Sequence, residues 1–86
     1  MSDGIIVDDI DIDIHDERRR QDVKWGDQSG NDPCVWSTVL MEECGEVAQE
    51  ALIFQFQAFS TSVNLRKELI QVAAVAHAWI EALDKR

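Results

Sequence analysis

Basic residues, proline and tyrosine are scarce in this chain of 86 residues. It has one proline and no tyrosine, and 8 Lys and Arg stand against 17 Asp and Glu, for a formal net charge of −9. A surface for nucleic acid needs a basic stripe, so we expect no nucleic-acid polymer among the partners. The same charge is compatible with chemistry in which a bound cation supplies the missing positive charge.

Cysteine and long apolar runs are also rare. Cys34 and Cys44 are ten residues apart in one predicted helix, too far to form a disulfide, so we expect two reduced thiols as in a cytosolic protein. No apolar run reaches the length of a membrane span, and the N-terminal segment is acidic. We therefore expect no transmembrane helix, no membrane partner and no signal peptide.

Apolar residues at helical spacing are plentiful. They mark two long helices, over 35–56 and 65–83, and the pair Asp32-Pro33 starts the first of them. A shorter helix runs to Trp25 and ends at Gly26, with the run Arg18-Arg19-Arg20 as a solvated face. The prediction is an all-α helical bundle with antiparallel long helices. Because one small chain has too many apolar faces to cover, we expect a second subunit to complete it.

Residues 1–13 alternate between isoleucine and aspartate. Alternation at period two is typical of a strand or an extended arm with one apolar edge. A calcium loop is the other reading of these aspartates, but the required glycine and closing glutamate are out of register. The expected division is a short acidic extended arm over 1–13 and a helical domain over 14–86.

Glutamates interrupt the apolar face of the first long helix. Six residues share that face at steps of four and three: Trp36, Leu40, Glu43, Val47, Glu50 and Phe54. Glu46 lies on the adjoining row. Carboxylates that face a core are unfavourable unless they are paired or bind a metal, so this break in the pattern indicates a functional site.

The second long helix has the same anomaly. Glu68 and Gln71 are three residues apart at the N-terminal end of its apolar face. If the helices pack antiparallel, Glu68 approaches Glu43 and Glu46. Oxygen ligands gathered in one cleft suit a hard cation, Mg²⁺ or Mn²⁺.

These residues resemble a known family. Glu42-Glu43-x-x-Glu46 followed by Glu68-x-x-Gln71 is similar to the EExxE…ExxD signature of the MazG-like, all-α nucleoside triphosphate pyrophosphohydrolases. The stretch 65–83 is similar to a phage and actinobacterial branch that often carries Gln at the last position, and 20–26 resembles the N-terminal motif of that branch. The one departure from the family signature is Gln71, where the family has Asp.

The resemblance implies an activity: metal-dependent hydrolysis of a (deoxy)nucleoside triphosphate, with a purine such as dGTP as the first guess, to the monophosphate and pyrophosphate. It implies Mg²⁺ or Mn²⁺ held by Glu43, Glu46 and Glu68, with Gln71 as a neutral ligand or as a hydrogen-bond partner of a ligand. Glu42, Glu43 and Glu46 are the implied catalytic residues, and Glu42 or Glu50 orients the attacking water. The candidate substrate-binding residues are Gln21, Lys24, Trp25, Arg66 and Lys67. Lys24, Arg66 and Lys67 are candidates to bind the phosphates, and Trp25, beside Lys24 and next to a loop, is a candidate to stack on the base.

Small size and the surplus of apolar faces predict a homodimer or a dimer of dimers. The expected location is the cytoplasm of a bacterium or of a phage-infected host cell. Two alternatives remain open at this point. One is a non-catalytic helical interaction module, such as a degenerate relative in which Gln71 has ended metal binding. The other is a structural helical dimer whose glutamates are solvated.

Overall fold

The computed structural model describes the backbone of residues 2–85 and the side chains of residues 9–85. It contains three α-helices: α1 (Ser2–Trp25), α2 (Pro33–Phe56) and α3 (Val63–Asp84). The described residues include no strand. The predicted all-α class is therefore confirmed.

α1 is longer than predicted. Residues 2–13 form the first half of this helix rather than an extended arm, and Met1 lies outside the described residues. A lone strand has no partner within this chain, whereas a helix satisfies its own backbone hydrogen bonds. The alternating sequence also fits a helix, because Ile10 and Ile14 are four residues apart and share one of its faces.

The other helix ends lie where local chemistry predicts them. Gly26 has a positive φ of 74°, and its N–H donates to the Asp22 carbonyl, which closes α1. Asp32 precedes Pro33 in the extended conformation that starts α2. After α2, the Ser60 hydroxyl oxygen lies 3.0 Å from the Phe54 carbonyl oxygen and 2.9 Å from that of Gln57, so its one proton donates to an acceptor at the helix end.

α3 is the helix that the other two share. It packs against both α1 and α2, whereas the Cα atoms of α1 and α2 stay more than 8 Å apart throughout the described chain. The α2–α3 packing is antiparallel as predicted, because Trp36 near the start of α2 stacks on Trp79 near the end of α3 with ring centroids 6.3 Å apart. A groove thus lies between α1 and α2, and α3 forms its floor.

The core of the single chain is small. Among the described residues only Trp36, Ala74, Val75 and Ala82 are buried apolar side chains. Val39, Leu40, Ala78 and Trp79 are partly buried against this cluster. Large apolar side chains elsewhere on α2 are exposed, including Met41 at 70% and Phe56 at 73%. One chain therefore leaves much of α2 uncovered.

Arg18 attaches α1 to α3. Its guanidinium lies 2.8 Å from His77 Nδ1 and donates to Glu81 at 3.1 Å, and its side chain is only 16% exposed. The solvated face predicted for the run of three arginines holds for Arg19 and Arg20, which are exposed, and is wrong for Arg18. The α1–α3 interface is polar here, and Gln21 is buried beside it.

Both cysteines are free and exposed. Among the described residues, no helix is long and apolar enough to cross a membrane.

Candidate functional site

Three glutamates meet between α2 and α3. One carboxylate oxygen from each of Glu43, Glu46 and Glu68 lies within 4.8 Å of the other two. α2 places Glu43 and Glu46 one turn apart, and the antiparallel packing places Glu68 of α3 opposite them. The expectation that antiparallel packing brings these three side chains together is confirmed.

Gln71 joins this cluster through its amide nitrogen. With the amide oriented to satisfy its surroundings, Nε2 lies 2.8 Å from Glu43 Oε2 and 2.9 Å from Glu68 Oε2. It donates a hydrogen bond to each carboxylate, one on α2 and one on α3. In this arrangement Gln71 is a hydrogen-bond partner of the glutamates, and its amide oxygen faces away from them.

Mutual repulsion and partial burial perturb the protonation of the cluster. Burial, followed by the charge of Glu46, raises the pKa of Glu43 above its ordinary value. Burial also raises the pKa of Glu68 to about 7, with a hydrogen bond to Glu46 and the charges of Glu46, Glu43 and Glu50 adding to the effect. Carboxylates this close do not all ionise at neutral pH unless a cation compensates them.

The donor set fits a divalent cation. Two oxygens on opposite sides of Mg²⁺ are about 4.2 Å apart, and on opposite sides of Ca²⁺ about 5 Å apart. The 4.8 Å limit on the oxygen separations allows one ion to contact all three glutamates after a small contraction of the cluster. Carboxylate oxygens without sulfur or imidazole favour Mg²⁺ or Mn²⁺ over softer metals.

Glu42 and Glu50 flank the cluster on α2. Glu42 is exposed and Glu50 is half-buried. The charge of Glu42 helps to raise the pKa of Glu43, and the charge of Glu50 helps to raise the pKa of Glu68. Both carboxylates are therefore close enough to the cluster to interact with it electrostatically.

Cationic side chains line a cavity of about 510 Å³ between α1 and α3, and none of the three glutamates is among its lining residues. Arg66 and Lys67 line this cavity, and Arg66 forms an ion pair of 2.7 Å with Asp13. Arg20 lines it as well and donates two hydrogen bonds to Glu17, at 2.9 and 2.7 Å. This hydrogen bonding to Arg20 is the main cause that lowers the pKa of Glu17.

Glu17 and Arg20 were not among the predicted site residues. Their spacing of three, which places an acid and a base on one face of α1, is the feature of the sequence that indicates such a pair. Arg20 also feels the charge of Glu43, so this ion pair lies close to the cluster. Which face of α1 lies towards the glutamates depends on the packing of α1 on α3. The full length of α1 and the inward direction of the Arg18 side chain were not predicted from the sequence.

The other predicted substrate-binding residues are divided. Gln21 is buried, and its amide donates to Glu17 at 3.1 Å, so its polar group is used within α1. Lys24 and Trp25 lie at the C-terminal end of α1, about 12 Å along the helix from Glu17. Trp25 is 42% exposed, and Lys24 Nζ lies 4.8 Å from its ring centroid. The structure thus places Arg66 and Lys67 on the cavity between α1 and α3, and Lys24 and Trp25 at the C-terminal end of α1.

No protein-family model, no curated protein and no solved structure matches this chain.

The raised pKa of Glu68 predicts how stability depends on pH. The ordinary value is 4.5 and the folded value is about 7. Between these values the folded protein holds a proton that the unfolded chain has released, so the free energy of unfolding falls as pH rises through this range. For the metal-free protein in chelator, we expect Tm measured by circular dichroism to fall from about pH 5 to about pH 8.

The Glu68→Gln variant isolates this effect. It should lose most of the pH dependence and be more stable than the wild type at the upper end of the range. Asp11→Asn, at an exposed position on α1, is the control and should follow the wild type. A Glu68→Gln variant with the pH dependence of the wild type would show that another group causes it.

Proposed function

We propose that this protein is a metal-dependent nucleoside triphosphate pyrophosphohydrolase. The observation that carries the proposal is the gathering of Glu43, Glu46 and Glu68, from two helices, around one space of the size of a divalent cation. The resemblance of 42–46 and 68–71 to the MazG-like signature supports it, because four of the five signature positions meet: Glu43, Glu46, Glu68 and Gln71. The cationic side chains on the adjacent cavity supply the second requirement, a surface for phosphate.

In the proposed reaction, water attacks the α-phosphorus. The bond from this phosphorus to the oxygen of the β-phosphate breaks, which releases a nucleoside monophosphate, pyrophosphate and a proton. The chemistry that a divalent cation supplies when bound is neutralisation of phosphate oxygens and a lower pKa for the attacking water.

The roles of the side chains follow from their positions. Glu43, Glu46 and Glu68 hold the ion, and Glu42 or Glu50 accepts the proton from water. Arg66 and Lys67 contact the phosphate chain from the adjacent cavity, together with Arg20.

A second candidate function has one observation in its favour. The Gln71 amide nitrogen donates to two of the three glutamates, so it takes part of the place that a cation would take. In a degenerate relative of the MazG-like enzymes, these hydrogen bonds would take the place of a bound metal ion. Such a protein would be a non-catalytic helical interaction module. The two candidates differ in one measurable property, which is release of pyrophosphate in Mg²⁺.

Loss of a ligand charge should stop the reaction. We expect Glu43→Gln and Glu46→Gln each to reduce Mg²⁺-dependent pyrophosphate release from a panel of deoxynucleoside triphosphates by about a hundredfold or more, as ligand loss weakens binding of a hard cation. The same variants should remain folded by circular dichroism, since each change removes like-charge repulsion. Asp11→Asn is the control and should keep wild-type turnover. Wild-type turnover in both glutamine variants would exclude these residues as metal ligands.

Gln71 offers a separate test of its own role. Because its amide nitrogen faces Glu43 and Glu68, Gln71→Asp removes two hydrogen bonds and adds a fourth carboxylate. If Gln71 acts only as a hydrogen-bond partner, the Asp variant loses activity at every Mg²⁺ and Mn²⁺ concentration. If the amide turns to present its oxygen to the ion, the Asp variant binds both metals more tightly. The contacts predict the first result, in a titration of activity against each metal.

We further propose that the working form is a homo-oligomer, a dimer or a dimer of dimers. α2 carries apolar residues around its whole circumference, yet within the described chain it packs only against α3. A helix of this kind is normally buried on more than one side. A second copy of the chain covers the exposed Met41, Leu52 and Phe56.

Sedimentation tests this assembly. At micromolar concentration we expect the wild type to sediment as a dimer or tetramer and Leu52→Lys to sediment as a smaller species. Val23→Lys is the matched control, because Val23 is 88% exposed on α1, away from α2. A wild type that is monomeric at this concentration would rule out the assembly.

A further inference from the structure

The cavity of about 510 Å³ between α1 and α3 has a balanced charge. Three acidic and three basic side chains line it: Asp13, Asp16, Glu17, Arg20, Arg66 and Lys67. Its volume is within the range of small-molecule sites. Two of the three basic side chains already have a carboxylate partner inside the cavity. The affinity of the cavity for an anion therefore depends on how firmly each carboxylate holds its partner.

Arg20 is held firmly. Its Nε and Nη2 donate to the Glu17 carboxylate at 2.9 and 2.7 Å, and the Glu17 side chain is only 12% exposed. Glu17 also accepts a hydrogen bond from the Gln21 amide at 3.1 Å. Two parallel hydrogen bonds between a guanidinium and a partly buried carboxylate fix both groups. We therefore expect Glu17 to stay on Arg20 when a ligand enters the cavity.

Arg66 is held loosely. One ion pair of 2.7 Å joins its Nη2 to Asp13, and the side chains of Arg66 and Asp13 are 52% and 43% exposed. An ion pair this exposed contributes little, because water competes for both charges. A phosphate group carries more charge than a carboxylate and can accept two parallel hydrogen bonds from one guanidinium. Asp13 is therefore a partner that a phosphate group can displace.

Lys67 is the third cation of the cavity. It forms no ion pair with any residue whose side chain the structure describes. Its charge is close enough to Glu17 to help lower the pKa of that carboxyl group. Lys67 follows Arg66 directly on α3, and both line the same cavity. An anion that first contacts Lys67 is thus beside the ion pair of Arg66 and Asp13.

We propose that Asp13 competes with the pyrophosphate part of the ligand for Arg66. A pyrophosphate group in the cavity takes Arg66, and Asp13 turns to solvent. The ion pair forms again as pyrophosphate leaves, so Asp13 lowers the affinity for this product and favours its release. This inference rests on the proposed function for the identity of the ligand. It needs no hydrolysis, so it is testable with pyrophosphate alone.

Inorganic pyrophosphate is the probe, titrated into the whole protein in chelator and followed by NMR. We expect it to shift the backbone amide signals of residues 63–70. Asp13→Asn should lower the dissociation constant by about threefold, which is within the range that one exposed ion pair allows. Asp16→Asn is the matched control, because it removes the same charge from the same cavity, whereas the partner of Asp16 is Arg19, which does not line the cavity. Its dissociation constant should stay close to that of the wild type.

Arg66→Gln is a second variant, which removes the guanidinium and serves if Asp13→Asn does not fold. We expect it to raise the dissociation constant by about tenfold or more, the value of a hydrogen bond to a charged group. An unchanged constant in folded Arg66→Gln would overturn the inference. An equal gain in Asp13→Asn and Asp16→Asn would also overturn it, because general repulsion would then explain both.

The same titration separates this inference from the proposed function. Pyrophosphate binding with the expected effects of Asp13→Asn and Arg66→Gln, but with no pyrophosphate release from any triphosphate, would retain the competition and reject the hydrolase. Hydrolysis by the wild type, together with pyrophosphate binding that Asp13→Asn does not strengthen, would retain the hydrolase and reject the competition.

Discussion

Repulsion among carboxylates is the constraint on which the α2–α3 packing depends. Glu43, Glu46 and Glu68 meet between α2 and α3, where Glu43 and Glu68 are half-buried and Glu46 is exposed. In the metal-free chain two things offset the repulsion: a proton held by Glu68, whose pKa is raised to about 7, and the Gln71 amide, which donates to Glu43 and Glu68. The proton and the amide N–H group each reduce the repulsion that a bound cation would otherwise reduce. A cation at the same position would release the proton and allow all three carboxylates to ionise.

The position of α1 relative to the three glutamates is set by its packing on α3. Because α3 is shared, any residue that fixes α1 on α3 also sets the distance from α1 to the glutamates. Arg18 bonds to His77 and Glu81, and Asp13, five residues earlier on α1, pairs with Arg66. Glu17, between these two contacts, and Arg20, which follows them, come within electrostatic range of Glu43. A polar interface of this kind aligns α1 without a large apolar core.

Much of this arrangement could be predicted from periodicity and local chemistry. Helical spacing gave α2 and α3, Asp32-Pro33 and Gly26 gave two of the boundaries, and antiparallel packing brought Glu68 to Glu43 and Glu46. α1 was harder, because an alternation of Ile and Asp fits both a strand and an i, i+4 row. The inward turn of Arg18 depends on which face of α1 meets α3, whereas the bidentate Arg20–Glu17 pair is local to α1 and follows from its spacing of three. That face is fixed by contacts distant in sequence, which local patterns do not encode.

A divalent cation bound by the three glutamates is detectable as paramagnetic broadening by Mn²⁺ of NMR signals close to them. In a titration of the wild type below one equivalent of Mn²⁺, we expect the backbone amide signals of Glu43–Val47 and Glu68–Gln71 to broaden first. The aspartates of the first half of α1, Asp9, Asp11 and Asp13, form the other concentration of acid in the described chain and should respond only at higher Mn²⁺. Broadening that begins at these aspartates, or that spreads evenly over all exposed acids, would contradict a specific site between α2 and α3.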